Sequence, residues 1–235
     1  MKTTSVVLLS VVAIAIAGLA DAAPRKRTRN ADRIGPYGMG AVGQSSWTSD
    51  QSSAEQFLVD SFESVGATIR DLSVSTEDND LGYNATFGYR FTRNLAVELG
   101  LAQFGSVEST GNADLDFGEG FVPVTLKFAF SAGGPMISAL GILPLNDKFE
   151  FFGRLGYLFT SSEREFSSRV DGQSSGIGSA RGDSQDVVLG AGAAYHFNQA
   201  YSARLEFQKL EELGDPDRSG QEDLDVISLG IVVRF

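Results

Sequence analysis

ISLGIVVRF, residues 227–235, alternates strictly, and its reading decides the fold. Successive side chains of a strand point to opposite sides. One side therefore carries Ile227, Leu229, Ile231, Val233 and Phe235, all large and apolar. The other carries Val226, Ser228, Gly230, Val232 and Arg234. Working back from here the same period recurs. Tyr201, Ala203, Leu205 and Phe207 oppose Ser202, Arg204, Glu206 and Gln208, and Val187, Leu189, Ala191, Ala193, Tyr195 and Phe197 oppose Val188, Gly190, Gly192, Ala194 and His196. Further upstream, Phe149, Phe151, Leu155, Tyr157 and Phe159 stand against Glu150, Phe152, Arg154 and Gly156. Leu95, Val97, Leu99 and Leu101 stand against Ala96, Glu98, Gly100 and Ala102. Leu81, Tyr83, Ala85, Phe87, Tyr89 and Phe91 stand against Gly82, Asn84, Thr86, Gly88 and Arg90, while a first strand from Gly35 to about Gln44 sets Tyr37, Met39 and Ala41 against glycines. Met136–Leu145, with its weaker alternation and a Pro144 tolerable only near a strand end, makes an eighth.

Connections alternate between short and long. Thr92-Arg93-Asn94, Asn146-Asp147 and Asn198-Gln199-Ala200 are tight turns, and the intervening segments run to a dozen or more residues. Such asymmetry belongs to outer-membrane barrels, in which short turns face the periplasm. An even strand number places both termini there, with the long segments outside. Those segments are acidic: Thr48–Asn79 holds seven acids against Arg70, and Glu211–Asp225 seven against Arg218. Ser52 followed by Glu55, with Phe57, Leu58, Phe62 and Val65 near helical spacing, predicts a short capped helix over 52–65. Phe121–Phe130 also alternates, and reads as an extension of the fourth strand, a hairpin above the membrane or a further spanning strand.

Strands of about 9–11 residues match the bilayer, where a spanning sheet must close because no water satisfies its edges. A soluble sandwich would need a polar outer face, whereas the second face here is mainly Gly, Ala and Ser with sparse charges. Tyr37, Tyr89, Phe91, Phe149, Tyr195, Phe197, Tyr201 and Phe235 lie beside the short turns, where an aromatic girdle belongs, with Trp47 its counterpart at the outer rim. The 27 Gly and 17 Phe fit a sheet with one apolar face. Lys2, the apolar run Val6–Leu19 and Ala20-Asp21-Ala22 read as a cleaved export signal over 1–22, too short for a spanning helix. A basic periplasmic segment over 23–33 follows, then one barrel domain over 34–235. No later window is apolar for long enough to form a transmembrane helix. Cysteine is absent, which excludes disulfides, thiolate nucleophiles and Cys-ligated metals. Arg25, Lys26, Arg27, Arg29 and Arg33 read as a solvated tail, since nucleic-acid binding would need interleaved aromatics on a folded platform.

FGYRFTRNLAVELGLAQFG (87–105), ILPLNDKFEFFGRLGYLF (142–159) and ISLGIVVRF (227–235) together resemble the eight-stranded OmpA-like outer-membrane barrel family. The resemblance implies an all-β, closed, eight-stranded antiparallel transmembrane barrel. It also implies that the terminal aromatic, Phe235, is a signal read by the barrel-assembly machinery. Two-domain members carry a peptidoglycan-binding domain after the barrel; this chain stops at the last strand, so cell-wall anchoring by that route is not expected.

By parity Arg90, Glu98, Glu150, Arg154, Arg204, Glu206 and Arg234 point into the lumen. Four cations and three anions invite pairing, and the expected result is a plug of salt bridges filling a barrel just wide enough for side chains. The alternative is a narrow pore for ions or small solutes that opens when partners switch. His196, the single histidine, sits inward with no Ser or Asp neighbour evident on its own strand, so it reads as a lumen histidine and no enzyme is expected. Arg181-Gly182-Asp183 spells an adhesion tripeptide that short-match statistics assign to chance. No phosphate-binding, calcium or histidine-based metal motif occurs, so no metal or cofactor is expected. Acidic loops would collect divalent cations at the lipopolysaccharide surface. The chain is thus expected to be a monomeric structural barrel supporting envelope integrity, partnered by outer-membrane lipid, lipopolysaccharide and the assembly machinery. A third expectation is a surface interaction or adhesion module acting through the acidic loops.

Overall fold

A computed structural model describes residues 33–48, 68–77, 79–116, 120–215, 218 and 221–235 of the chain. The export signal, all but the last residue of the basic segment, and the capped helix over 52–65 lie outside the described residues. Nine strands form: Gly35–Thr48 (β1), Thr68–Glu77 (β2), Asn79–Arg90 (β3), Leu95–Asp116 (β4), Phe121–Pro144 (β5), Phe149–Val170 (β6), Gln173–His196 (β7), Tyr201–Leu213 (β8) and Glu222–Arg234 (β9). All pair antiparallel in the order β2-β4-β3-β1-β9-β8-β7-β6-β5, and a β4–β5 pairing closes the ring. β2 and β3 run in the same direction along β4, so together they make one wall. The barrel therefore has eight walls. Its seam is β1 against β9, from Tyr37 opposite Arg234 to Thr48 opposite Asp223.

The three short turns share one local device. Asn146 Oδ1 accepts hydrogen bonds from the backbone N–H groups of Lys148 (2.8 Å) and Phe149 (3.0 Å). Asn198 Oδ1 does the same for Ala200 and Tyr201, both at 2.8 Å, and Thr92 Oγ1 accepts from Asn94 N at 3.1 Å. Side-chain acceptors two and three residues before the donor are what Asn and Thr bring to turns. At the opposite end the walls rise beyond the expected strands. Phe121–Phe130 is the upper part of β5, paired on one side with β4 and on the other with β6. The third long segment is a β6–β7 hairpin closed by Asp171-Gly172, whose φ values of 49° and 74° suit a two-residue turn. Arg181-Gly182-Asp183 thus lies within β7, where Arg181 pairs with Glu163 at 2.9 Å. Gly105, at φ 74°, marks the bulge where the β4–β5 register shifts between Gln103 and Ser106.

Alternation holds along the half of each wall nearest the short turns. Leu95, Leu99, Leu101, Leu155, Leu189, Leu205, Ile227 and Leu229 are each more than half exposed and contribute to an outer apolar belt. Tyr89 and Phe91, Phe149 and Tyr195, and Tyr195 and Phe197 touch ring to ring along its lower rim at 4.8, 4.9 and 5.3 Å between centroids. Two aromatics expected outside are inside. Tyr37 is 4% exposed and sits opposite Gly88, where an added Cβ would fall within its ring; Gly38 and Gly40 take the outer face instead. Met39 and Ala41 follow it inward. Trp47 is 2% exposed and stacks edge-on against Phe130 inside the barrel, 5.5 Å between centroids. The parity of β1 is reversed because its glycines, having no side chain, carry no preference of their own.

Two measurements check this arrangement. Trp47 is the only tryptophan. Its emission should be blue-shifted and almost unquenched by either brominated acyl chains or acrylamide; strong quenching by brominated lipid would return it to the outer rim. Because the chain lacks cysteine, single cysteines label cleanly. Leu229→Cys should react with a bilayer-embedded maleimide and Ser228→Cys should not.

Candidate functional site in the barrel lumen

The inward faces keep charge away from lipid, which would penalise an Arg or Lys at the midplane by about 2–4 kcal/mol. Six of the seven charged residues read as inward are buried: Arg90, Glu98, Glu150, Arg154, Arg204 and Glu206; Arg234, at the rim, is partly buried. They assemble as two separate groups. At mid-barrel, Arg154 on β6 bridges Glu98 on β4 and Glu206 on β8. Its Nη2 lies 2.7 Å from Glu98 Oε2 and 3.1 Å from Glu206 Oε2, and its Nε donates to Glu206 Oε1. Arg154 Nη1 donates to Ser138 Oγ at 2.6 Å. Glu98 Oε1 accepts from Arg204 Nη1 at 2.8 Å and from the Tyr37 hydroxyl at 2.6 Å. The Arg204 guanidinium also covers the Phe152 ring, 4.4 Å from its centroid, a cation–π contact in a desolvated place. Glycines make the room: a Cβ at Gly190 would stand 3.2 Å from Glu206 Oε1, and one at Gly156 would stand 2.8 Å from Ser138 Cβ.

The second group lies at the short-turn mouth. Glu150 Oε2 sits 3.0 Å from Arg90 Nη1 and 3.3 Å from His196 Nε2, with Arg234 Nη2 at 4.0 Å from Oε1. Arg90 Nη2 and Nε reach the carbonyls of Arg93 (2.5 Å) and Thr92 (3.3 Å), tying the charge to the first turn. Between the two groups lies an apolar layer of Tyr37, Met39, Ala96, Leu140, Ile142, Phe152 and Val232. Above the mid-barrel group lies another, in which Leu158, Val188, Leu210 and Leu224 have no exposed surface and Trp47, Phe104, Phe130 and Met136 complete the section. From mouth to top, ionic and apolar sections thus alternate, and the upper apolar section also encloses the buried polar side chains of Ser45, Thr160, Asp186 and Gln208.

His196 has neighbours that its own strand does not show. Its Nδ1 lies 2.6 Å from Ser202 Oγ on β8 and its Nε2 3.3 Å from Glu150 on β6. A serine, a histidine and a carboxylate in line are the parts of a hydrolytic relay. Here Ser202 is 0% exposed and its Oγ also accepts from Arg234 Nη1 at 2.6 Å, so no acyl group reaches it. Sequence reading missed Tyr37, Ser138 and Ser202 as partners. Ser202 was legible only as inward by parity and Ser138 was given no face, and the register that puts Ser138 opposite Glu98 and Ser202 opposite His196 needs the assembled sheet. Asp186 was missed too: buried, it accepts from Ser184 Oγ at 2.7 Å and from Thr160 Oγ1. No group of His, Asp or Glu that could hold a metal ion occurs among the described residues.

Residues 37–235 match the OmpA-like transmembrane domain. Outer membrane protein A of Yersinia pseudotuberculosis is 26% identical over 238 residues, covering 100% of this chain and 56% of its own length. That of Escherichia coli O157:H7 is 25% identical over 161 residues, covering 68% of this chain and 41% of its own. The chain spans about half the length of these curated relatives. Among solved structures, the N-terminal barrel of Pseudomonas aeruginosa OprF aligns with 86% of this chain and 98% of its own at 12% identity and a TM-score of 0.42. The attachment invasion locus protein Ail of Yersinia pestis aligns with 86% of this chain and 99% of its own at 16% identity and a TM-score of 0.38. A ring of eight antiparallel strands with an apolar belt and a match across nearly the whole described chain agree: the protein belongs to the OmpA-like outer-membrane β-barrel family.

Proposed function

We propose that this barrel is a structural component of the outer membrane that supports envelope integrity, with a lumen closed to ions. The observation that carries the reading is the layered interior: a mid-barrel group in which each of Glu98, Arg154, Arg204 and Glu206 has an oppositely charged partner or shares one, capped by an apolar layer drawn from seven of the eight walls. An ion would have to displace salt bridges and then cross a section crowded by large apolar side chains, in which Asp186 is already engaged by Thr160 and Ser184, and apolar constrictions block conduction by excluding water. The short turns and both ends of the described chain, Arg33 and Phe235, face the periplasm in this reading, the β6–β7 hairpin stands outside, and outward-facing Phe235 serves the assembly machinery. A hydrolytic role is disfavoured by the burial of Ser202.

A narrow channel is the second reading, and one observation favours it. Glu98 is shared by Arg154 and Arg204, and Arg204 Nε has no acceptor among the described residues, so an exchange of partners would break few bonds. Planar-bilayer recording separates the two. The purified chain should show no stable openings, and Glu98→Ala should remain silent because the apolar layer stays in place. Openings in the unaltered protein would establish the channel. The ion group should matter for stability whichever reading holds. Arg154→Met leaves Glu98 and Glu206 short of a partner and should lower stability by about 3–5 kcal/mol in urea titrations in lipid vesicles. On intact cells, an impermeant maleimide should label Ser175→Cys in the hairpin and not Asp147→Cys in the short turn; the reverse pattern would invert the orientation.

A further inference from the structure

The chain carries a formal charge of −11, yet the short-turn mouth of the lumen is positive. Arg33, Arg90, Arg93, Lys148 and Arg234 gather there, against Asp147 and Glu150. Only Glu150 of the two carboxylates is buried, and it faces Arg90, His196 and Arg234 together. Arg90 is fully engaged. Arg234 is not: Nη1 donates to Ser202, Nη2 stands 4.0 Å from Glu150, beyond hydrogen-bond reach, and buried Nε has no acceptor among the described residues. His196 Nε2, also buried, is close to Glu150 without a hydrogen bond of good geometry. Arg33, just before β1, donates one Nη to the Asp147 carbonyl, which folds its side chain across the mouth. Burial holds the Arg33 guanidinium below its ordinary range, opposed by Glu150 and reinforced by Arg90.

We propose that this mouth is a binding site for a tetrahedral oxyanion of the phosphate class, held by Arg33 and Arg234 with His196 behind them. Guanidinium groups match phosphate oxygens in pairs, and a partly desolvated site strengthens each such bond. A bound dianion would neutralise the excess cations and accept from Arg33 and from Arg234 Nη2, which stands beyond hydrogen-bond reach of Glu150. The acceptor could come from free phosphate or from a phospholipid headgroup of the adjacent leaflet, since the chemistry presented is the same.

The test uses the full chain in maltoside micelles, which contain no phosphate, and follows thermal unfolding through Trp47 fluorescence. Sodium phosphate should raise the midpoint progressively, and sodium chloride at equal ionic strength should not. Arg33→Gln and Arg234→Gln should each weaken the apparent affinity by about tenfold or more, the worth of a charge-assisted hydrogen bond. The same titration in phospholipid nanodiscs distinguishes the source. A response in micelles that vanishes in nanodiscs identifies a headgroup phosphate as the occupant, and a response in both identifies the free anion. Equal effects of phosphate and chloride in micelles would overturn the proposal. So would a full phosphate response in the Arg33→Gln/Arg234→Gln double variant.

Discussion

Within hydrocarbon no water completes a backbone hydrogen bond, so every other feature of this protein depends on the β1–β9 seam. Twelve register partners from Tyr37–Arg234 to Thr48–Asp223 remove the two edges that an open sheet would expose to acyl chains. Closure in turn forces an inside. Once the ring exists, the period of two assigns each side chain either to lipid or to a confined lumen, and charges have only one tolerable address.

Confinement then shapes the lumen. Glu98 and Glu206 would each be costly alone at this depth; bridged by Arg154, which also donates to Ser138, and with Arg204 and Tyr37 donating to Glu98, they form a unit whose members sustain one another. Apolar layers on both sides keep that unit dry, which raises the penalty for removing any single member. The mouth group around Glu150 is different in kind. It borders solvent, contains more cations than anions, and is anchored to the turns through Arg90 and Arg33. One lumen thus holds a balanced ionic core and an unbalanced ionic rim.

The membrane half of the barrel was legible because lipid imposes a sharp contrast between faces: Leu205 and Phe207 against Arg204 and Glu206 leave one orientation only. Above the belt that contrast fades. Ser161, Glu163 and Glu165 are as polar as Ser162 and Arg164 on the other parity, so β6 and β7 could not be followed upward to their Asp171-Gly172 turn from pattern alone. Tyr37 and Trp47 misled for a related reason. An aromatic is welcome at the rim of the belt, and equally welcome inside wherever a glycine such as Gly88 faces it; only the register of β1 against β3 distinguishes the two.

The amino-acid order by itself determined the class of fold, the inward set of seven charged residues and the end of the barrel that holds the tight turns, because each follows from local spacing and from the cost of charge in lipid. Tertiary structure alone decided which charges meet. Arg154 joins residues 56 and 52 positions away, and Arg204 joins one 106 positions away. Such partnerships depend on the stagger between neighbouring walls and on the room left by Gly156 and Gly190, and neither quantity is written in the alternation of any single strand.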